Sequence, residues 1–366
     1  MTEFDDAAYM SMAYGLAEKA LGRVSPNPCV GALIVKGDAI LGTGYHEGAG
    51  KPHAETVALD ACRSRARGAT LYVTLEPCVH WGHTPPCVDS VLSAGLSRVV
   101  ISALDSNPLV HKKGAARIRE SGIKVAVGIL EERNKRLNEF YIKYITRKLP
   151  FVTLKAAVSL DGKIATKRFD SRWISSAPAR EYIHLLRGEY DGLMVGINTI
   201  LRDNPLLTIR HPNWPGKKIT RIVLDAGLRL PFGARILSTQ TRGEILVFAA
   251  ESAPKSKRMA LEKAGVEVIP LPGSAEKLNL GQVLSRLSEK ALTSLLVEGG
   301  GHVLTSFLEA GLADKILLTI SPRLIGGEAG PSVFGGEGVE ALKDALRLRT
   351  TSSFRIDEDL IVEGYF

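Results

Sequence analysis

A chain of 366 residues is longer than one hydrophobic core supports, since single cores stop growing near about 250 to 300 residues, and it predicts two domains. Its composition, 45% hydrophobic and 23% charged, is that of an ordinary folded protein, and no run approaches the ~18 apolar residues of a membrane span. The formal charge of +8 divides into +3 over residues 1–147 and +5 over 148–366, so it lacks the concentrated basic face of a nucleic-acid binder and suits a small phosphorylated substrate.

The first residues, Met1-Thr2-Glu3-Phe4-Asp5-Asp6, are acidic and lack the basic start and apolar run of a signal peptide, so a soluble cytoplasmic protein is expected. Residues 29–35 read as a buried strand, Gly37-Asp38 as a turn and 39–45 as a returning strand. From His53 the pattern is helical to about Cys62, and Arg63-Ser64-Arg65-Ala66-Arg67 reads as its solvated end, where cations meet the negative end of the helix dipole. Strands at 69–75, 98–104 and 123–127, with helices near 113–121 and 131–147, make the first half an α/β layer protein. Pro150, after the basic Arg147-Lys148, marks the boundary, giving domains 1–147 and 148–366. The second half alternates again. Strands are expected at 151–157, 191–196, 220–225, 244–249, 266–270, 293–298 and 314–321, with helices near 177–188, 254–264, 279–290 and 302–310. Residues 354–356 and 360–362 flank Asp357-Glu358-Asp359 as a closing hairpin.

The chemistry of the first half lies in His53-Ala54-Glu55, Pro77-Cys78 and Cys87. One imidazole and two thiolates are three ligands for a tetrahedral zinc ion, which leaves a position for water, and zinc lowers the pKa of that water from about 15.7 towards 7. Glu55, two residues from His53 and without ligand duty, is placed to carry a proton from water to a leaving amine. The order H-x-E, then P-C, then a second Cys marks zinc nucleobase deaminases. A purely structural site would need a fourth ligand, for which His80 is the competing residue. His80, His111, His184 and His211 otherwise read as surface histidines, and Cys29 and Cys62 as buried free thiols.

In the second half, Lys155 interrupts an apolar strand, where an unpaired charge is costly to bury, so a carboxylate or a ligand is implied. Glu298, at the end of its own strand, is the expected companion. Gly299-Gly300-Gly301 before a helix is a phosphate-cradle candidate, although it is not the G-x-G-x-x-G fingerprint and also reads as an ordinary strand-to-helix turn. Arg187 and Arg210 read, on spacing alone, as solvated residues.

The run from Pro77 to Cys87, with its eight-residue gap between cysteines, resembles the signature of the bifunctional riboflavin-biosynthesis deaminase/reductases, as do Asn27-Pro28-Cys29-Val30-Gly31 and the segment from His46 to Glu55. The resemblance continues through the run from Leu154 to Lys163, Val195-Gly196-Ile197-Asn198-Thr199, Asp203-Asn204-Pro205, Leu224-Asp225 and Val297-Glu298-Gly299-Gly300-Gly301. It implies a cytidine-deaminase-like three-layer domain followed by a dihydrofolate-reductase-like α/β domain; alternation alone would also permit a doubly wound sheet. It implies deamination of a diaminopyrimidinone carrying a phosphoribosylamino group, with one Zn2+, then reduction of the ribosyl group with NADPH. By position, Asn27, His46, His83 and Thr84 would hold the first substrate, and Lys155, Ser171, Arg187, Leu207, Arg210 and Glu298 the second. Ala157, Trp173, Thr199, Asp203 and the run Gly300, Gly301, His302, Val303, Leu304, Thr305, Ser306 would contact NADPH, and a homo-oligomer, a dimer, is expected. His83 stands where the family usually has Arg or Lys, and His111-Lys112-Lys113-Gly114 replaces a glycine-flanked loop. Two other readings stay open on the residues alone: a nucleic-acid base deaminase, and a zinc-stabilised binding module without turnover.

Overall fold

The computed structural model describes residues 3–82, 85–274 and 277–366. The chain divides into two compact units, Met1–Lys148 and Leu149–Phe366.

The first unit runs α1 (Glu3–Ala17), β1 (Gly31–Lys36), β2 (Ala39–Tyr45), α2 (Ala54–Cys62), β3 (Thr70–Leu75), α3 (Cys87–Ser93), β4 (Arg98–Ala103), α4 (Lys113–Glu120), β5 (Lys124–Val127), α5 (Glu131–Leu137) and α6 (Glu139–Arg147). Its sheet has the order β2-β1-β3-β4-β5. The β1 strand is antiparallel to β2 and β3, and β3, β4 and β5 are parallel. Because side chains alternate along a strand, each strand feeds two cores. Ala32, Ile34, Leu71, Val73, Val99 and Ile101 pack with α2, α3 and α4, whereas Leu33, Val35, Tyr72 and Val100 pack with Met10, Ala13 and Tyr14 of α1. Both faces are covered, giving the expected three layers. Helix α2 lies close over β2 because Gly42 and Gly44 have no side chains: a Cβ on either would stand 2.3 Å from the Ala58 oxygen or 2.4 Å from that of Ala54.

Two differences from the expected elements have local causes. Helix α1 was not anticipated, although its buried Met10, Ala13, Tyr14 and Ala17 carry helical spacing. The single helix expected over 131–147 breaks at Asn138, whose amide is turned inward: Oδ1 accepts from the Cys29 N–H at 2.7 Å and Nδ2 donates to the Cys29 oxygen at 3.1 Å. Cys29 and Cys62 are buried free thiols.

The second unit runs β6 (Phe151–Ser159), α7 (Ala177–Arg187), β7 (Gly192–Gly196), α8 (Ile197–Asp203), β8 (Thr220–Leu224), β9 (Ile245–Ala250), α9 (Lys255–Lys263), β10 (Glu267–Leu271), α10 (Leu280–Glu289), β11 (Ser294–Val297), α11 (Gly301–Glu309), β12 (Lys315–Ser321), β13 (Thr350–Ile356) and β14 (Asp359–Tyr365). The nine strands are ordered β10-β9-β8-β7-β11-β6-β12-β14-β13. All pairs from β10 to β12 are parallel, and β14 is antiparallel to β12 and β13. That antiparallel terminal hairpin distinguishes the sheet from a wholly parallel doubly wound one. On β6, Val152, Leu154, Ala156 and Val158 enter the main core with Leu284 and Phe307. Period two therefore sends Thr153, Lys155 and Ala157 to the opposite face. Among the described residues, no helix is long and apolar enough to cross a membrane.

Candidate active sites

In the first unit His53 precedes α2 in extended backbone, Cys78 follows β3 and Cys87 opens α3. Three separate segments thus bring one nitrogen and two sulfurs together. His53 Nδ1 is 3.1 Å from Cys87 Sγ and 3.6 Å from Cys78 Sγ, and the three donor atoms lie within 4.8 Å of one another. A tetrahedral zinc ion, with Zn–S of about 2.3 Å and Zn–N of about 2.0 Å, requires N···S separations of about 3.5 Å, so the donor set fits it. Among the described residues the group has three members and His80 is not one of them. The thiols behave as a coupled pair. Hydrogen bonding from Cys87, then from His53, pulls Cys78 to about 4, while the neighbouring sulfur and burial push Cys87 far up. A bound cation would favour the thiolate form of both sulfurs.

Glu55, in the first turn of α2, is 3% exposed, and burial lifts its carboxyl to about 7. It lines a cleft of ≈ 270 Å³ together with Asn27, His46, His53, Cys78 and His80. His46 Nδ1 is 3.1 Å from the Pro52 oxygen and Nε2 is 2.9 Å from Asn27 Nδ2. The carbonyl can only accept, so Nδ1 carries the proton and Nε2 accepts from the amide. Burial holds His46 below the usual histidine range, consistent with that neutral ring. His80 departs from its surface reading: it is half-buried in the cleft, and its Nδ1 is buried without a hydrogen-bond partner. His111 is exposed as expected. His83 and Thr84 lie outside the described residues.

Sequence reasoning missed the carboxylate that fixes this cleft. Glu76 accepts from the backbone N–H groups of Asp105 (3.1 Å), Lys112 (3.0 Å) and Ala115 (3.0 Å), tying the 105–115 segment to the strand end that leads into Cys78. Gly114 completes the join, since a Cβ there would stand 2.2 Å from the Pro77 oxygen. The departure at 111–114 thus keeps the one glycine that the packing requires.

The second unit revises the expected pairing of Glu298. Its partner is Arg187, at the end of α7: Nε donates to Oε1 and Nη2 to Oε2, both at 2.7 Å, with each side chain 13% exposed. Arg187 is therefore not a solvated helix residue. Burial alone would raise Glu298, but the Arg187 charge and its hydrogen bonds outweigh it and bring the carboxyl to about 2. Lys155 has no hydrogen bond or ion pair to either residue and feels their charges through space, while burial lowers its pKa. The two arginines meet at Thr208: Arg187 Nη1 donates to its backbone oxygen at 3.1 Å and Arg210 Nη1 to its Oγ1 at 3.2 Å. His184 is half-buried between them, not on the surface, and His211 is also only partly exposed. Leu207 is buried beside Thr208.

Ala157 shares the face of Lys155, Thr199 and Asp203 lie on α8, and Glu298-Gly299-Gly300 joins β11 to α11. In an open parallel sheet, ligands bind beyond the carboxyl ends of neighbouring strands, and β7, β11 and β6 are neighbours here. Trp173 is 60% exposed with the Arg180 guanidinium 4.4 Å from its ring centroid, and Ser171 is partly exposed in the same loop. Gly300 caps α11 without a side-chain hydrogen bond, and among the described residues no atom beyond its chain neighbours lies within 4 Å of where its Cβ would be, so the first amides of α11 are open to an anionic group. His302, Val303 and Ser306 leave part of their surface accessible on α11, whereas Leu304 and Thr305 are buried, Leu304 within the core. Thr305 Oγ1 accepts from the Gly335 N–H at 2.8 Å.

Residues 4–103 match the cytidine and deoxycytidylate deaminase zinc-binding region, and residues 150–362 match the RibD C-terminal domain. The riboflavin biosynthesis protein RibD of Aquifex aeolicus (strain VF5) is 43% identical over 357 residues, covering 98% of this chain and 97% of the relative. That of Escherichia coli (strain K12) is 36% identical over 355 residues, covering 94% and 95%. A Thermotoga maritima structure, described as a diaminohydroxyphosphoribosylaminopyrimidine deaminase/5-amino-6-(5-phosphoribosylamino)uracil reductase, superposes with a TM-score of 0.86 at 37% identity, covering 98% of each chain. With both halves matched in order and relatives aligned nearly end to end, the chain belongs to the RibD family of riboflavin-biosynthesis proteins and is a bifunctional deaminase/reductase.

Proposed function

We propose that the first unit is a zinc-dependent deaminase of 2,5-diamino-6-(5-phosphoribosylamino)pyrimidin-4(3H)-one. The second unit then reduces the ribosyl group of 5-amino-6-(5-phosphoribosylamino)uracil with NADPH. The observation that carries the reading is the convergence of His53, Cys78 and Cys87 beside a buried Glu55 in one cleft. His53, Cys78 and Cys87 would hold a zinc ion, which would supply Lewis acidity that makes water a nucleophile at neutral pH. Glu55 takes a proton from the water and hands it to the departing amine, and its pKa of about 7 suits both directions. Asn27, its Nδ2 engaged by His46, keeps Oδ1 to accept from a pyrimidine N–H. His83 and Thr84 are the sequence-based choices for the phosphate end.

In the second unit NADPH supplies the hydride when bound, and the protein orients it. Arg187, Arg210, Ser171 and Leu207 hold the substrate, with Glu298 locking the Arg187 guanidinium and Lys155 facing the reacting sugar. Ala157, Trp173, Thr199, Asp203 and residues 300–306 hold the cofactor. Lys155 and Arg187 lie around Glu298, and Arg187 meets Arg210 at Thr208, a cluster of cations that suits a phosphorylated substrate. The buried free thiols support a reducing cytoplasmic setting, and the edge strand β13, exposed over Thr350–Arg355, supports a homodimer measurable by light scattering.

The test is incubation with the diaminopyrimidine phosphate, with and without NADPH, followed by mass analysis. Ammonia and the uracil product should form without NADPH, and the two-hydrogen-heavier ribityl product only with it. NADPH consumption with no prior release of ammonia would overturn the order of steps.

A further inference from the structure

An imidazole sits between the two arginines of the second unit, and it has fewer lone pairs than neighbours that want one. Arg210 Nη2 stands 2.8 Å from His184 Nε2, while Arg187 Nη1 and the Arg210 backbone N–H stand 3.3 and 3.4 Å from Nδ1. Guanidinium and amide nitrogens can only donate, and a neutral imidazole offers one acceptor nitrogen. A protonated ring would offer none.

We propose that His184 is a positioning residue of the reductase site: a neutral ring, protonated on Nδ1, whose Nε2 lone pair holds Arg210 in line with the Glu298-anchored Arg187. The inference rests on reading this unit as the reductase. Three arguments select the arrangement. The 2.8 Å contact has full hydrogen-bond length, whereas the Arg187 Nη1 and Arg210 N–H groups point at Nδ1 from 3.3 and 3.4 Å, so a proton on Nδ1 gives up the two weaker contacts and keeps the strongest. Burial, then the charges of Arg187 and Arg210, push His184 to about 4, with Glu298 opposing and Lys155 adding to the shift, so the ring stays neutral across the working range. Finally, placing the proton on Nδ1 makes that side of the ring rich in donors beside Arg187, which suits an anionic ligand oxygen. Glu298 fixes one guanidinium through its charge, and His184 fixes the other without adding a second negative charge that would repel a phosphate.

Glutamine at 184 keeps an acceptor near the Nε2 position, asparagine keeps one nearer Nδ1, and alanine removes both. In reduction of 5-amino-6-(5-phosphoribosylamino)uracil by the full chain, His184→Ala should raise KM about tenfold and change kcat by less than about twofold, the size of one charged hydrogen bond used in binding. His184→Gln should restore most of the KM, and His184→Asn should not. Nitrogen NMR of the full chain should show, as the signal missing from His184→Gln, a ring protonated on Nδ1 that stays neutral to about pH 5. An unchanged KM in His184→Ala, an equal loss in kcat, rescue by asparagine alone, or a charged ring at neutral pH overturns the proposal. If the wild-type chain does not reduce this uracil at all, the functional reading fails. The tautomer, and its response to added ribose 5-phosphate, then decides the role of His184 separately.

Discussion

Arg187 grips Glu298 through two parallel hydrogen bonds of 2.7 Å across 111 residues of sequence, and this pair organises the second site. Both side chains are 13% exposed, so the two charges have left most of their water behind and depend on each other. The bidentate geometry is specific to a planar guanidinium, which a lysine does not reproduce. Arg187→Lys should therefore raise the reductase KM by about tenfold or more while leaving ammonia release by the first unit unchanged. Equal KM values in the two proteins would remove Arg187 from the substrate site.

The same pair sets a pH dependence. Glu298 titrates at about 2 in the folded chain, below the ~4.3 of an unfolded glutamate, so folding favours its charged form. Its contribution is fully present above about pH 4.3 and is lost as pH falls from there towards 2, on the order of 3 kcal/mol in all. Acid titration of urea unfolding, followed on the second unit, should show this loss in the wild type. Glu298→Gln should be less stable at neutral pH and should lack that component of the acid loss. An identical acid limb in both proteins would show that the pair is not its source.

Glu55→Gln should retain about one zinc per chain and lose deamination by roughly 100-fold or more, since the amide keeps the shape but cannot take up and release a proton near neutral pH. Metal analysis and ammonia release read the two effects separately. Zinc lost together with activity would make Glu55 a ligand and not a proton carrier.

The candidate metal donors and Glu55 stand out in the sequence because they lie in short segments, which the fold brings together. His53 and Glu55 are neighbours on one helix start, and Cys78 and Cys87 bracket one loop. The alternation of strands and helices was equally legible, since each buried face repeats at its own period. Long-range choices were not. That Lys155 sits in an apolar strand signals a site, but whether Glu298 turns to it or to Arg187 depends on where α7 lies, which no local pattern encodes. The break at Asn138 follows from Cys29, 109 residues away, and the role of Glu76 follows from three backbone amides brought to it by the fold.

Gly114 tests whether that hidden framework matters. A methyl group there would meet the Pro77 oxygen at 2.2 Å, so α4 or the strand end before Cys78 has to move. Gly114→Ala should cost more than about 1 kcal/mol in stability, despite alanine's better helix propensity, and should weaken zinc retention under chelator challenge. A stabilised variant with unaltered metal retention would show that the contact relaxes freely.

Lys155 should separate stability from function most sharply. Burial lowers its pKa, the Glu298 charge opposes that shift only in part, and among the described residues no side chain makes a hydrogen bond or ion pair with its ammonium group. A folded pKa below the unfolded one means that the charged lysine opposes folding at neutral pH, and that this penalty fades only as pH rises through the folded pKa. Lys155→Met keeps the length and apolar stem while removing the charge. The variant should be at least as stable as the wild type in urea at pH 7, and should lose reduction of the uracil by roughly 100-fold or more with deamination intact. Glu298 opposes the shift in Lys155 and Arg187 reinforces it, so Lys155→Met should also leave the Arg187–Glu298 pair in place. Destabilisation beyond about 1 kcal/mol with reduction preserved would assign Lys155 to the framework of β6 and not to the reaction.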